Sequence, residues 1–408
     1  MHFIKNFRTV LYSSVLFFSL LTGTACKKEA EANPPAVEAA QSEKSNLVSF
    51  KFVGIIPVET IRDIASKNGY PQFNNEFKYD ITVFSVVYNT TYQGRETQAS
   101  GLLVFPRNKE TPPAILSAQH GTLFAHKDAP SNFPISFNGP ELFASAGYAT
   151  FIPDYLGYGA SKQILHPYYN ETYSATAVRD IIRAGRFFCK DQNIPLGNKL
   201  FLAGYSEGGY VTLAAQKNLE ANPLPGLTLA GVAAGAGGYD LTAMIGNIAS
   251  GETYNHPSYL AFLTQAYNTA NNWNRPLNQL FKEPYASKIP GLLDGSKTGG
   301  QVNSELPKLP SQLFTEAFYN GLKTGTETQF INALAENSLT DWAPQAPTRL
   351  YHGTADDVVP FQNSQITYSK LKKNGAKQLD LYPIPGGTHG TTFQPMIMEL
   401  IPWFASLQ

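Results

Sequence analysis

A five-residue segment, Gly204–Gly208, restricts the fold of this chain more than any other part of the sequence. It has the pattern G-x-S-x-G with Ser206 at its centre, the apolar run Leu200–Ala203 directly before it and a helix-forming run, Gly209–Leu219, directly after it. The pattern predicts a buried strand, a sharp turn that carries the serine, and a helix. Glycines two positions to either side of the serine allow the strand and the helix to approach closely. The serine is therefore expected at the carboxyl end of a buried strand.

Strand-like and helix-like segments alternate on both sides of this unit. Short apolar runs typical of buried strands occur at Ala114–Ala118, Ala149–Ile152, Leu229–Ala233, Thr348–Tyr351 and Leu379–Ile384. Helical spacing occurs at Pro140–Ala146, Thr176–Phe188, Ile366–Lys373 and Phe393–Phe404. This alternation predicts the α/β class, with a mainly parallel central sheet and helices on both of its faces. In such sheets, sites gather at the carboxyl ends of the strands.

Two regions depart from this alternation. Near the start, a short helix at Glu59–Lys67 is followed by alternating apolar residues at 81–88 and by Ser100–Phe105, which together predict a β-hairpin with Gly94 in its turn. At about residues 240–347 the strand pattern stops and helical spacing replaces it. We expect this region to be a helical cap inserted into one α/β domain, which would span residues 48–408.

Composition narrows the range of partners. Hydrophobic residues make up 43% of the chain, enough for a sizeable core, whereas Lys plus Arg and Asp plus Glu number 31 each. With no net charge to attract polyanions, nucleic acid is not an expected partner. The ligand is expected to be neutral or weakly charged, and the oligomeric state is left open.

The first residues have the character of an export signal. Residues 1–25 contain Lys5 and Arg8 ahead of the apolar run Val10–Leu21, and small residues then lead to Cys26. This order predicts a signal peptide. The small residues before the cysteine resemble the lipobox of bacterial lipoproteins, in which the cysteine is lipidated and becomes the mature N-terminus.

Lipidation of Cys26 would place the protein in a bacterial cell envelope, facing the periplasm or the outside. Acyl chains on this residue would hold it at the membrane surface without a spanning helix. Residues 26–47 are polar and rich in Pro, Ala, Lys and Glu, and are expected to form a disordered linker after the lipidated cysteine. Simple cleavage of the signal, or an uncleaved anchor, are the alternatives.

The remaining cysteine and the glycine-rich segments indicate no cofactor. Cys189 lies in an apolar helical context that predicts a buried, unreactive thiol. Paired cysteines or an H-E-x-x-H segment would indicate a metal site, and the sequence contains neither pattern. Gly235–Gly238 and Gly295–Thr298 lack the spacing of nucleotide-binding loops. We therefore expect neither a metal nor another cofactor.

A serine hydroxyl needs a base before it can act as a nucleophile at neutral pH. Of the seven histidines, His389 is the one in a glycine-rich loop near the carboxyl terminus, Pro385–Thr391, directly after the last predicted strand. The chain order Ser, Asp, His is a known arrangement for such a site. His389 is therefore the candidate base for Ser206.

A carboxylate is expected to orient that base. Two acids, Asp356 and Asp357, follow the preceding strand. We select Asp356 as the third catalytic residue, because the spacing from Gly353 to Asp356 to Val359 resembles the loop at this point in α/β-hydrolases. Asp357 is the alternative, with turning or capping as its simpler role.

Backbone N–H groups are expected to hold the oxyanion that forms when a serine attacks an acyl carbon. The N–H of Glu207, directly after the serine, is one candidate. The loop Gln119–Thr122 is similar to the His-Gly loops of esterases and lipases, and the tight turn at Gly121 makes the N–H of Thr122 the second candidate. His120 could be mistaken for a base, but its expected role in such a loop is structural.

The wider resemblance is to the secretory lipase and esterase group of the α/β-hydrolases. It rests on Asp154–Gly159, His166–Tyr168 and Val178–Asp180 ahead of the serine, and covers about residues 114–214 and 350–392. It implies the α/β-hydrolase fold, a cap that shapes an acyl pocket, and hydrolysis of a small-molecule or lipid ester through an acyl-enzyme on Ser206. Glu207 departs from the pattern, since such lipases usually have Gln there.

Two other functions stay open on these residues. The same three catalytic residues cleave amides in peptidases and acylaminoacyl hydrolases. A protein that keeps the fold only to bind at a surface is the third interpretation, although a binder has no need for Ser206, Asp356 and His389 together.

Overall fold

The computed structural model describes residues 45–137, 139–249 and 251–408. The predicted signal peptide, Cys26 and the linker as far as residue 44 lie outside the described residues. Within the described ranges, no helix combines the length and the apolar character that a membrane span requires.

Nine strands within the described residues form a single sheet in the order β1-β2-β3-β5-β4-β6-β7-β8-β9. Their bounds are β1 Leu47–Ile56, β2 Ile81–Tyr92, β3 Arg95–Pro106, β4 Ile115–Gln119, β5 Ala149–Pro153, β6 Lys199–Tyr205, β7 Thr228–Gly235, β8 Thr348–Gly353 and β9 Leu379–Ile384. Strands β1, β2, β3 and β5 pair antiparallel, and the pairs from β5 to β9 are parallel. The mainly parallel sheet that the sequence predicts is therefore confirmed.

The α-helices lie between and after these strands. Their bounds are α1 Val58–Lys67, α2 Leu142–Ser145, α3 Glu171–Asp191, α4 Glu207–Ala221, α5 Leu241–Ala249, α6 Pro257–Ala270, α7 Leu277–Leu280, α8 Tyr285–Leu292, α9 Gly299–Ser304, α10 Pro310–Leu313, α11 Glu316–Thr324, α12 Thr328–Glu336, α13 Phe361–Lys373 and α14 Phe393–Ser406.

The sheet separates two apolar cores. In β6, Leu202 packs into the core shared with α3 and α4, whereas Phe201 and Ala203 pack into the core shared with α1 and α14. Successive side chains of a strand point to opposite faces, so a strand covered on both faces reads as a continuous apolar run. This burial explains why the predicted strand Leu200–Ala203 has no polar residue.

The hairpin of β2 and β3 forms where the sequence predicts it. Tyr92 pairs with Arg95 across the two-residue turn Gln93–Gly94, and both turn residues have positive φ, 48° and 73°. A turn of this kind matches the twist of the flanking strands and favours glycine. The strand β1, in contrast, has no counterpart among the predicted strands.

The helices α5–α12 occupy the chain between β7 and β8, which is the helical insertion expected in this fold. Leu260, Leu263 and Tyr267 on α6 are buried, as are Phe314 and Phe318 near and within α11. These residues join the core on the α3 and α4 side of the sheet. The insertion therefore packs with that side.

Cys189 is a free thiol that lies buried on α3. Burial raises its pKa well above the ordinary value for a cysteine. The prediction of an inert thiol is consistent with both observations.

Candidate active site

Ser206 lies on the sharp turn between β6 and α4. Its φ of 60° and ψ of −124° belong to a region that residues other than glycine rarely adopt. The Ser206 N–H donates to the carbonyl of Gly235 at 2.8 Å, and the Ser206 carbonyl accepts from the N–H of Gly209 at 2.9 Å. The surrounding backbone thus holds the serine in its strained conformation and projects its side chain from the end of the sheet.

The two glycines of the pattern are required by close backbone contacts. A Cβ on Gly204 would lie 2.2 Å from the carbonyl oxygen of Gly208, and a Cβ on Gly208 would lie 2.2 Å from that of Gln119. Both distances are far below van der Waals contact. The pattern therefore has a steric cause: strand, turn and the neighbouring loop are packed backbone to backbone.

The structure brings Ser206, His389 and Asp356 together in one chain of hydrogen bonds. His389 Nε2 is 2.8 Å from Ser206 Oγ, and His389 Nδ1 is 2.7 Å from Asp356 Oδ2. A carboxylate can only accept, so Nδ1 carries the proton and Nε2 is free to accept from the serine hydroxyl. In the sequence, His389 is 183 positions from Ser206 and 33 positions from Asp356, yet the three side chains meet at one edge of the sheet.

Of the two neighbouring acids, the structure places Asp356 against His389. The Asp356 carboxylate is fully buried, and its Oδ1 accepts from the backbone N–H groups of Val358 and Val359, both at 2.9 Å. Asp357 is 60% exposed, with its carboxylate 3.8 Å from His256. Asp356, and not Asp357, is therefore the acid that is hydrogen-bonded to His389.

His352 is a further neighbour of this carboxylate that we did not predict. Its Nε2–H donates to the carbonyl of Val359 at 2.8 Å and lies 3.3 Å from Asp356 Oδ2, while its Nδ1 accepts from Ser364 Oγ at 2.6 Å. Burial alone would raise the pKa of Asp356, but hydrogen bonds from His352 and His389 outweigh burial and hold the pKa well below its ordinary value. The position of His352 at the carboxyl end of β8 was the signal that could have identified it.

The two segments that carry the predicted oxyanion donors adjoin Ser206. Glu207 is the first residue of α4, where backbone N–H groups have no partner within the helix. A Cβ on Gly121 would lie 3.7 Å from Ser206 Cβ, so the loop that carries Thr122 passes next to the serine. The Thr122 hydroxyl is 2.9 Å from the Tyr168 hydroxyl, which fixes the side chain of that loop residue.

His120 is built into the scaffold beneath this loop. Its Nδ1 lies 2.8 Å from the carbonyl of Gly121 and its Nε2 lies 3.2 Å from that of Asp154. Its ring stacks on Tyr155 with a centroid distance of 4.0 Å, and burial lowers its pKa. These contacts assign His120 a structural role.

Glu207 forms a buried pair with His166, a contact that we did not predict. Glu207 Oε1 is 2.6 Å from His166 Nε2, and the two side chains are 1% and 6% exposed. His166 Nδ1 is 2.6 Å from the carbonyl of Leu156, which can only accept, so Nδ1 carries a proton. The 2.6 Å hydrogen bond between His166 Nε2 and Glu207 Oε1 needs a second proton between these two atoms. The pair is then neutral overall, whether this proton lies on His166 or on Glu207.

Because the Glu207–His166 pair is neutral overall, it does not oppose an oxyanion formed at the neighbouring Ser206. Replacing His166 by phenylalanine keeps a ring in place but leaves the Glu207 carboxylate buried without its partner. We expect the His166→Phe variant to lose about 100-fold in kcat, because an uncompensated charge then opposes the oxyanion. Adding Glu207→Gln, a neutral side chain of the same shape, should restore at least about tenfold.

Steady-state kinetics on the two single variants and the double variant test this expectation. Thermal unfolding of each variant provides the control, since a stability effect would alter the melting temperature without requiring a change in kcat. A double variant no faster than His166→Phe would show that the charge on Glu207 has no influence on the reaction.

A small cavity, which we call the serine cavity, lies beside Ser206 and has a volume of about 30 Å³. Its remaining walls are aromatic and aliphatic: Tyr168, Tyr169, Leu241, Met244, Tyr254, Tyr259, Leu260, Leu263, Val358 and Val359. Helices α5 and α6 of the insertion supply five of these residues. The insertion therefore forms one wall of the space next to the serine.

Among residues 45–137, 139–249 and 251–408, no group of three or more His, Cys, Asp or Glu side chains could hold a metal ion.

The fold and this serine-bearing turn together define an α/β-hydrolase. The family described as "Secretory lipase" matches residues 141–396, which is more than half of the sequence, and the chain belongs to this family. Its members are named for the hydrolysis of carboxylic esters. The predicted fold class and the predicted resemblance are thereby confirmed.

Individual relatives agree with this assignment. The chain is similar to a solved structure from Legionella pneumophila, with 27% identity, a TM-score of 0.82, and coverage of 88% of this chain and 98% of that one. It is also similar to a ligand-bound rice cell wall degrading esterase, LipA, from Xanthomonas oryzae, with 25% identity, a TM-score of 0.75, and coverage of 89% and 97%. Lipase 10 of Candida albicans is 22% identical over 393 residues, covering 90% of this chain and 78% of that protein.

Proposed function

We propose that the protein is a serine carboxylesterase or lipase that cleaves neutral esters through an acyl-enzyme on Ser206. The observation that carries this proposal is the continuous chain of hydrogen bonds from Asp356 through His389 to Ser206, with distances of 2.7 and 2.8 Å. Such a chain converts a weak hydroxyl nucleophile into a reactive one.

Acylation begins when Ser206 Oγ attacks the ester carbonyl carbon and its proton passes to His389 Nε2. The carbonyl oxygen becomes an oxyanion, which the N–H groups of Glu207 and Thr122 stabilise. The C–O bond to the alcohol then breaks, and His389 returns the proton to the leaving oxygen. Asp356 keeps His389 in the required tautomer and stabilises its cationic form.

Deacylation repeats these steps with water as the nucleophile. His389 Nε2 takes a proton from water as the water attacks the acyl carbon bonded to Ser206. The tetrahedral intermediate collapses, the proton returns to Ser206 Oγ, and the carboxylic acid leaves. The apolar walls of the serine cavity favour a small, neutral acyl group.

Labelling with a fluorophosphonate, combined with a matched pair of substrates, tests the proposal. We expect the probe to label the wild-type protein on Ser206 and not the Ser206→Ala variant, while the exposed Ser369→Ala variant labels like wild type. We also expect p-nitrophenyl acetate to be hydrolysed and p-nitroacetanilide, which has the same acyl group, to be left intact. Faster cleavage of the anilide would favour a peptidase or acylaminoacyl hydrolase, and an unlabelled wild type would favour a surface-binding protein.

We further propose that the protein is exported and held at a membrane by lipid on Cys26. Supporting this are the signal-like residues 1–25, the small residues before the cysteine, and the description of the family as secretory. Expression of Cys26→Ser in a bacterium should move the esterase activity from the membrane fraction to the soluble fraction. An unchanged distribution between the two fractions would rule out the lipid anchor.

A further inference from the structure

A second cavity lies on the face of the sheet opposite the insertion. We call it the aromatic cavity; it has a volume of about 210 Å³ and is enclosed by α1, the chain around α2, and α14. Lining residues from these elements include Ala65, Leu142 and Met396. Well-packed interiors contain few voids larger than a water molecule, so a space of this size calls for an explanation.

The lining is suited to an apolar ligand. None of the described residues that line the cavity is charged, and seven of them are aromatic. Four polar side chains line the cavity: Asn68, Tyr70, Gln119 and Tyr205. Gln119 is hydrogen-bonded to Ser117 and Thr212, Asn68 donates to the carbonyl of Ile64, and Tyr205 donates to the carbonyl of His389. These three have partners within the protein and do not require a polar ligand.

We propose that the aromatic cavity binds an uncharged aromatic ring. An apolar cavity of about 150 Å³ is large enough to take up benzene, so 210 Å³ accommodates a single substituted ring. Aromatic walls favour such a ligand over a flexible chain, because edge-to-face and offset contacts add to the burial of apolar area.

The aromatic cavity is separate from the serine cavity but adjoins the same catalytic loop. Ser206 lines the serine cavity and not the aromatic cavity, whereas the preceding residue, Tyr205, lines the aromatic cavity. Tyr205 donates its hydroxyl proton to the carbonyl of His389 at 2.5 Å and packs against Phe393, another lining residue, with a centroid distance of 5.5 Å. A bound ring would thus rest against the two aromatic side chains that support the His389 loop.

Toluene binding to the full chain carrying Ser206→Ala tests this proposal without any contribution from turnover. We expect toluene to bind, measured by titration calorimetry and by a rise in melting temperature, and benzylammonium, the same ring with a charge, not to bind. Ala65→Leu, which fills the cavity from α1, should weaken toluene binding by at least about tenfold. Thr60→Leu is the matched control, since it adds the same side chain at an exposed position of the same helix and should leave binding unchanged.

Diffraction from crystals soaked in bromobenzene locates the ring independently of any variant, through the anomalous signal of bromine. We expect bromine between α1, α2 and α14. Three results would each overturn the proposal: a folded protein that does not bind toluene, equal binding by the Ala65→Leu and Thr60→Leu variants, or bromine only in the serine cavity. If Ala65→Leu does not fold, the position of the bromine decides. None of these results bears on ester hydrolysis at Ser206.

Discussion

The Ser206→Ala variant is expected to lose roughly 10⁶-fold in kcat for a short p-nitrophenyl ester, and His389→Ala is expected to lose nearly as much. The reason is that Ser206 Oγ and His389 Nε2, 2.8 Å apart, act as one unit: without the base the hydroxyl is not activated, and without the hydroxyl the base has no proton to accept. The double variant should therefore be no slower than either single variant.

Measurement of kcat for wild type, the two single variants and the double variant checks this non-additivity. The melting temperatures should stay close to that of wild type, because Ser206→Ala removes one oxygen and the strained turn is held by backbone hydrogen bonds. A double variant in which the two losses multiply would show that the residues act in separate steps, and the proposed mechanism would then be wrong.

The Asp356→Asn variant is expected to lose about 10⁴-fold in kcat with its fold intact. The N–H groups of Val358 and Val359 point at the Oδ1 position, so they would hold the amide oxygen there. The amide NH₂ must then face His389 Nδ1, where the carboxylate now accepts. His389 would be forced to accept at Nδ1 and to carry its proton on Nε2, which is the wrong tautomer for deprotonating Ser206.

Asp357→Asn is the matched control, because the Asp357 side chain is exposed and its carboxylate lies 3.8 Å from His256. Its kcat should stay within about twofold of wild type, as is usual for surface changes. A large loss in Asp357→Asn with little loss in Asp356→Asn would reverse the assignment of the two acids.

The Asp356 carboxylate should also affect how the free energy of unfolding depends on pH. Because the pKa of Asp356 is lowered in the folded protein, its ionised form stabilises the fold above the ordinary carboxyl pKa of about 3.9, and this stabilisation is lost as the pH falls further. Asp356→Asn should therefore unfold with a weaker dependence on pH in the acid range than wild type. Chemical denaturation across that range measures the difference.

The turn that carries Ser206 can be predicted from local sequence because its backbone requirements are local. A Cβ at position 204 or 208 would lie 2.2 Å from a backbone oxygen, so this close packing requires glycine at both positions. Burial on both faces likewise marks β4, β5 and β6 as apolar runs. The edge strand β1 was not predicted, because it pairs with another strand on one side only and is half exposed. Its apolar residues Phe50 and Phe52 therefore lie at the surface, 43% and 53% exposed.

The sequence by itself thus determined the α/β class, the turn that carries Ser206, and the order in which the serine, acid and histidine occur. The sequence favoured Asp356 only through loop spacing and left Asp357 as the alternative, whereas the tertiary structure places Asp356 against His389. It also pairs Glu207 with His166 across 41 positions, which the sequence did not predict. The physical reason is that a turn or a buried strand imposes its demands on neighbouring residues, whereas a contact between two loops depends on how every intervening element packs. The spacing of two residues in the sequence therefore does not predict whether they make such a contact.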